Sequence, residues 1–124
     1  MRIVLCLSLL LLLNGVGVHA DNASAPSKEQ LLEEALITQY LPILGKAIDE
    51  ATMCEWVSEI HRIQGSNRAH KVTISSFTYH GPHNPPHDLI TVTLADRGLG
   101  NITILNVDRK TNVDMEDVRN ACRR

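Results

Sequence analysis

The sequence lacks a basic excess. Twelve Lys and Arg stand against 14 Asp and Glu, a formal charge of -2 over 124 residues. Nucleic acids and anionic membranes are bound by a basic surface that releases counterions, so neither is an expected partner. The short catalytic signatures are missing too. There is no G-x-S-x-G elbow, no phosphate-cradling glycine loop and no H-E-x-x-H. No serine stands near an obvious His and acid partner. Glu55 and Glu59 would share a face only on a helix, and solvated carboxylates explain them more simply. Internal repeats are absent, and the ordinary composition excludes collagenous, low-complexity and wholly disordered classes. The length fits one domain.

Long apolar runs are absent except at the N-terminus. Met1-Arg2 carries positive charge, and Ile3 to Leu13 is apolar apart from Ser8. Asn14-Gly15 breaks the run, and Val18-His19-Ala20 puts small residues at the -3 and -1 positions of a cut before Asp21. Residues 1–20 therefore have the layout of a cleaved secretory signal peptide. As a helix the run would rise about 16 Å, against roughly 30 Å of hydrocarbon core, so it is too short to span. The expected location is secreted, with no membrane span after cleavage. Losing Arg2 with the signal leaves 11 of the 12 basic residues against 14 acidic ones, a charge of -3. Residues 21–27 read as a flexible leader (D-N-A-S-A-P-S), and residues 28–124 as a single α+β domain.

Cysteine is scarce, and only Cys54 and Cys122 lie outside the signal. In an oxidising compartment the pair is expected to form one intramolecular bridge, though free thiols or an intermolecular bridge are alternatives. Closing about 69 residues would stabilise the domain by roughly 4 kcal/mol in the chain-entropy picture. Asn22-Ala23-Ser24 and Asn101-Ile102-Thr103 are glycosylation sequons, with Asn22 and Asn101 as acceptors if the host is eukaryotic.

Ser27 is a candidate N-cap followed by Glu29 and Gln30. Leu31, Leu32, Ala35, Leu36, Tyr40 and Leu41 then recur at helical spacing. Pro42 lacks an N–H and predicts a stop or hinge, with Ile43, Leu44, Ala47, Ile48 and Ala51 forming a second helical piece. Residues 55–64 fit a helix (Trp56, Ile60, Ile63) or a strand (Val57, Glu59, His61, Ile63) equally well. The single tryptophan, Trp56, reads as a core anchor. Period-two patterning predicts strands over His70–Tyr79, Leu89–Ala95 and Asn101–Val107. A glycine-bearing hairpin falls at residues 96–100 and a polar turn at Asp108–Asn112. Asp114–Arg124 reads as a short terminal helix with acids early and arginines late, and with Cys122 on its inward stripe.

Residues 79–88, Y-H-G-P-H-N-P-P-H-D, join two predicted strands. His80, His83 and His87 are candidate ligands for Zn²⁺ or Cu²⁺, with Asp88, His61 and His70 nearby in the pattern. Their spacing matches no tight zinc signature, and the prolines limit how the rings converge. The plainer reading is a rigid connection in which Asn84 caps a turn with its own side chain, with a cis bond at residues 84–85 or 85–86 as an option.

The run from Val72 to Leu94, V-T-I-S-S-F-T-Y-H-G-P-H-N-P-P-H-D-L-I-T-V-T-L, resembles a family of small secreted Bacillus-type proteins known as domain of unknown function 3888. The likeness rests on its G-[AP]-H-N-P-P loop, here Gly81, Pro82, His83, Asn84, Pro85 and Pro86, with Phe77 just before. Leu31 to Ile48, including Tyr40 and Pro42, is similar to the family's helical part. The resemblance covers about two thirds of the chain after residue 20 and favours a strand for residues 55–64. His80 and His87 depart from the family pattern of an acid and an aromatic, so a three-histidine site would not be a family trait. The cysteine pair and terminal helix also look particular to this chain. The family has no assigned activity, so the resemblance implies no catalytic residue.

The expected fold is α+β: N-terminal helices across one face of a three- to four-stranded antiparallel meander, with a short C-terminal helix. This order is similar to the cystatin-like arrangement. The inhibitor motif Q-x-V-x-G is absent, because Gln64-Gly65 lacks its spacing, so fold likeness does not imply protease inhibition. The expected function is a non-enzymatic binding module that presents the 80–88 loop to an extracellular protein or surface ligand. A histidine-loop metal protein is the alternative, and a small hydrolase or inhibitor a third.

Overall fold

A computed structural model describes residues 25–123. The expected signal peptide (residues 1–20), most of the expected leader and Asn22 lie outside them. Helix α1 spans Lys28–Ile48, and strands β1 (Thr52–Arg62), β2 (His70–Thr78), β3 (Leu89–Asp96) and β4 (Ile102–Lys110) follow before helix α2 (Met115–Ala121). The strands pair antiparallel in the order β1-β2-β3-β4, so the fold is α+β with a four-stranded meander.

Ser27 starts α1 through a capping box. Its hydroxyl accepts from the Gln30 amide at 3.2 Å, and the Gln30 side chain accepts from the Ser27 amide at 2.7 Å. The helix does not stop at Pro42; it runs through as one element rather than as the two pieces expected. Proline removes one N–H donor, and here it sits on the exposed side, where water can reach the freed carbonyl. Tyr40, Leu44 and Ile48, four residues apart, are buried against the sheet on both sides of it and hold the helix together. Leu31, Leu32 and Leu41, expected on the inward stripe, are exposed.

Alternation along the strands divides the sheet. Val72 and Ile74 of β2 face Leu94 and Val92 of β3 on the side covered by α1, and with Ile90 they complete the core. Residues 55–64 resolve as a strand through Arg62. Its register slips between Met53 and Trp56 and again between Val57 and Glu59. Such bulges explain why neither a clean period of two nor one of 3.6 is visible there. Strand β4 extends to Lys110, through the expected polar turn. Asp108, Arg109 and Lys110 pair with Thr91, Ile90 and Leu89, and an exposed edge strand tolerates charge that reads locally as a turn.

The opposite face carries Ser58, Thr73, Ser75, Phe77, Thr91 and Thr93. Its buried hydroxyl of Ser75 is satisfied by Ser58 and, at 3.2 Å, by Thr91. Asp114 caps α2 through the Glu116 amide at 2.8 Å, and Val118 is its buried residue. Cys54 and Cys122 are bridged, with Cα atoms 5.0 Å apart and 68 residues of separation. Cys122 is the exposed C-cap of α2 rather than part of its inward stripe. The bridge ties α2 to the β1 bulge beside Trp56, whose ring lies 5.4 Å from that of Phe77. Trp56 is half-buried, so it walls a surface cavity rather than anchoring the core.

Candidate functional site

The 79–88 connection has two parts with different physics. Its neck is fastened to the body. The Thr78 amide donates to the Asp88 carbonyl at 2.9 Å, and the Asp88 amide donates to the Thr78 hydroxyl at 3.2 Å. His87 is buried, and its Nδ1 lies 2.8 Å from the Thr78 carbonyl oxygen. A carbonyl only accepts, so Nδ1 carries the proton and donates. The His87 carbonyl in turn accepts from the Val113 amide at 2.9 Å.

The Asp88 carboxylate is held from two directions. One oxygen accepts from the Asn112 amide at 3.0 Å, and the other takes the Arg109 guanidinium at 2.8 Å. These contacts, the Asn112 amide foremost, hold its pKa below the ordinary carboxylate value. Arg109 also reaches Glu50, just past the end of α1. The neck is thereby joined to β4, to the 110–114 segment and to the α1–β1 connection.

The tip is built differently. His80 and Asn84 exchange backbone hydrogen bonds of 3.1 and 2.8 Å, closing a small lobe over Gly81, Pro82 and His83. Gly81 (φ 55°) and His83 (φ 62°) both take the left-handed conformation that this reversal needs. The His83 ring packs on Tyr79, with centroids 4.2 Å apart and planes tilted by 31°. All six motif residues, Gly81 to Pro86, are exposed, as is His80. The Pro85–Pro86 bond is cis. The cap on this turn is the Asn84 backbone, not the expected side-chain cap.

The three histidines do not converge. His80 and His83 sit on the exposed tip, whereas His87 is buried and spends Nδ1 on Thr78. Asp88 is turned to Arg109, and His61 lies beside Glu59 at 3.4 Å on the exposed part of β1. Among the described residues no group of three or more His, Cys, Asp or Glu is gathered to hold a metal ion. The expected Zn²⁺ or Cu²⁺ ligand set His80, His83 and His87 is therefore not assembled. The physical reason is the hydrogen-bonded neck, in which the buried His87 ring is turned inward onto the Thr78 carbonyl.

Sequence reasoning missed Arg109, Asn112 and Val113 as supports of the loop. A visible signal existed only for Arg109, which follows Asp108 in a segment too charged for an idle strand end. Tyr79 as the partner of His83 carries a weaker one, being an aromatic four residues away. Asn101, the sequon asparagine, is exposed where the hairpin enters edge strand β4. No helix among the described residues is long and apolar enough to cross a membrane. Compared with family models, with curated proteins and with solved structures, the chain matches none.

Proposed function

We propose that this chain is a secreted, non-enzymatic binding module that presents the Gly81–Pro86 tip to an extracellular protein or surface ligand. One observation carries the reading: the tip's side chains are exposed while the neck beneath is fixed by hydrogen bonds and an ion pair. A loop that served only to connect two strands has no need of six exposed residues on so tightly held a base. Rigid presentation lowers the ordering cost of binding, because fewer conformations are lost when a partner docks. Tyr79 and His83 give the tip an aromatic, hydrogen-bonding surface, and the prolines restrict its backbone.

Membership of the family known as domain of unknown function 3888 belongs to this proposal, carried by the Gly81–Pro86 motif. So does secretion, which rests on the signal-like residues 1–20. The disulfide is compatible with an oxidising compartment. Affinity capture from the extracellular medium of the source cells tests the function. The oxidised 21–124 protein is expected to retain a partner that the double variant His83→Ala, Asn84→Ala does not. Equal capture by both would remove the tip from the account.

A further inference from the structure

We propose that the cavity between α2 and the sheet face away from α1 is a binding site for a small aromatic zwitterion, an aromatic amino acid being the simplest. It is a cleft about half open to solvent, with a volume of about 220 Å³. An apolar cavity of roughly 150 Å³ is large enough for benzene, so this one has room for a phenyl ring and a short head group. Trp56 and Phe77 supply an aromatic wall, and Leu89, directly across from Phe77 in the β2–β3 register, continues it. Ala121 of α2 and Val113 close the apolar lining.

The remaining lining residues choose the head group. Lys110, Asp117 and Asn120 are exposed, which places them at the mouth. Neither Lys110 nor Asp117 forms an ion pair among the described residues, with each other or with a third group. A simple anion would meet Asp117, and a simple cation would meet Lys110. A molecule carrying both charges satisfies both, and the Asn120 amide can donate or accept beside them. The walls of the cleft are also fixed in place. Val113 donates to the His87 carbonyl at one end of α2, and Cys122 is bridged to Cys54 at the other. This site is separate from the exposed tip and does not depend on the tip's proposed role.

Because Trp56 is the only tryptophan, its emission reports on the cavity directly. The oxidised 21–124 protein would be titrated with L-phenylalanine, phenylacetate, phenethylamine and benzyl alcohol. L-Phenylalanine is expected to give a saturable change with Kd on the order of 1 mM or tighter, as suits a ligand of its size. The three probes lacking one or both charges should bind more weakly. Lys110→Ala and Asp117→Ala should each weaken L-phenylalanine by about fivefold, the scale of a partly solvated ion pair, with thermal unfolding unchanged. Amide chemical-shift changes over residues 113–121 should accompany binding. No saturable response, equal affinity for all four probes, or shifts confined to another region would each overturn the proposal.

Discussion

His87 Nδ1 donates to the carbonyl oxygen of Thr78 across the neck of the 79–88 loop, at 2.8 Å and out of contact with water. The relationship divides the histidines of the loop into one that builds and two that are displayed. Replacing His87 by Ala leaves a cavity and an unpaired buried carbonyl, and is expected to lower unfolding free energy by roughly 2–4 kcal/mol. His83→Ala removes one exposed ring from its Tyr79 stack and should cost no more than about 1 kcal/mol. Urea denaturation of the two variants side by side checks the contrast, and a reversed order would contradict it.

Asp88 makes a claim about pH. Its folded pKa is lowered by the Asn112 amide and by Arg109, so the carboxylate contributes stability that is present above its unfolded pKa and is lost as pH falls through the folded value. The wild type should therefore lose stability on acidification below about pH 4, the ordinary carboxylate range. Asp88→Asn should be less stable at neutral pH and show a shallower decline in that window. Denaturation midpoints from pH 7 down to about pH 2 test this.

Tyr40 works at the other end of the scale. Its hydroxyl donates to Asp96 at 2.6 Å, and burial first, then Asp96, pushes the phenol pKa well above its usual value. A raised folded pKa means that the contribution is fully present below the unfolded value and is lost only as pH rises past it. Stability should thus decline above about pH 10 in the wild type, and less so in Tyr40→Phe. At pH 7 the same variant is expected to lose about 1–2 kcal/mol, because the Asp96 oxygen loses its donor. Calorimetry at the two pH values measures both effects.

The bridge is expected to stabilise the domain by about 2–5 kcal/mol, so Cys54→Ser with Cys122→Ser should unfold correspondingly earlier. Hydrogen exchange should show α2 losing protection first, since its seven residues bury only Val118 fully. Protection of α2 unchanged in the double variant would show that packing alone holds it.

Much of this architecture was legible in the residues. The capping box at Ser27 and the strand alternation through β2 and β3 follow from local chemistry, and the bridge between Cys54 and Cys122 was the expected one of the alternatives for two cysteines. Pro42 misled because tertiary contacts outweigh one lost hydrogen bond: Tyr40, Leu44 and Ile48 hold their turns across it. Asp108–Lys110 misled because an edge strand with a solvated side tolerates the charge of a turn. Residues 55–64 were undecidable alone, since two bulges erase their period. The loop motif was visible, but its division into tip and neck was not. That division depends on Arg109 and Asn112, both over 20 residues from Asp88 along the chain.

The central claim is that the exposed tip contacts a partner, and photo-crosslinking from the tip tests it most directly. A photo-reactive residue at Pro82, exposed and adjacent to His83, would be activated in the extracellular medium of the source cells. The account expects a discrete adduct that excess unlabelled wild type abolishes and excess His83→Ala, Asn84→Ala protein does not. No competable adduct, or the same adduct from the same group placed at exposed Lys71, would contradict it.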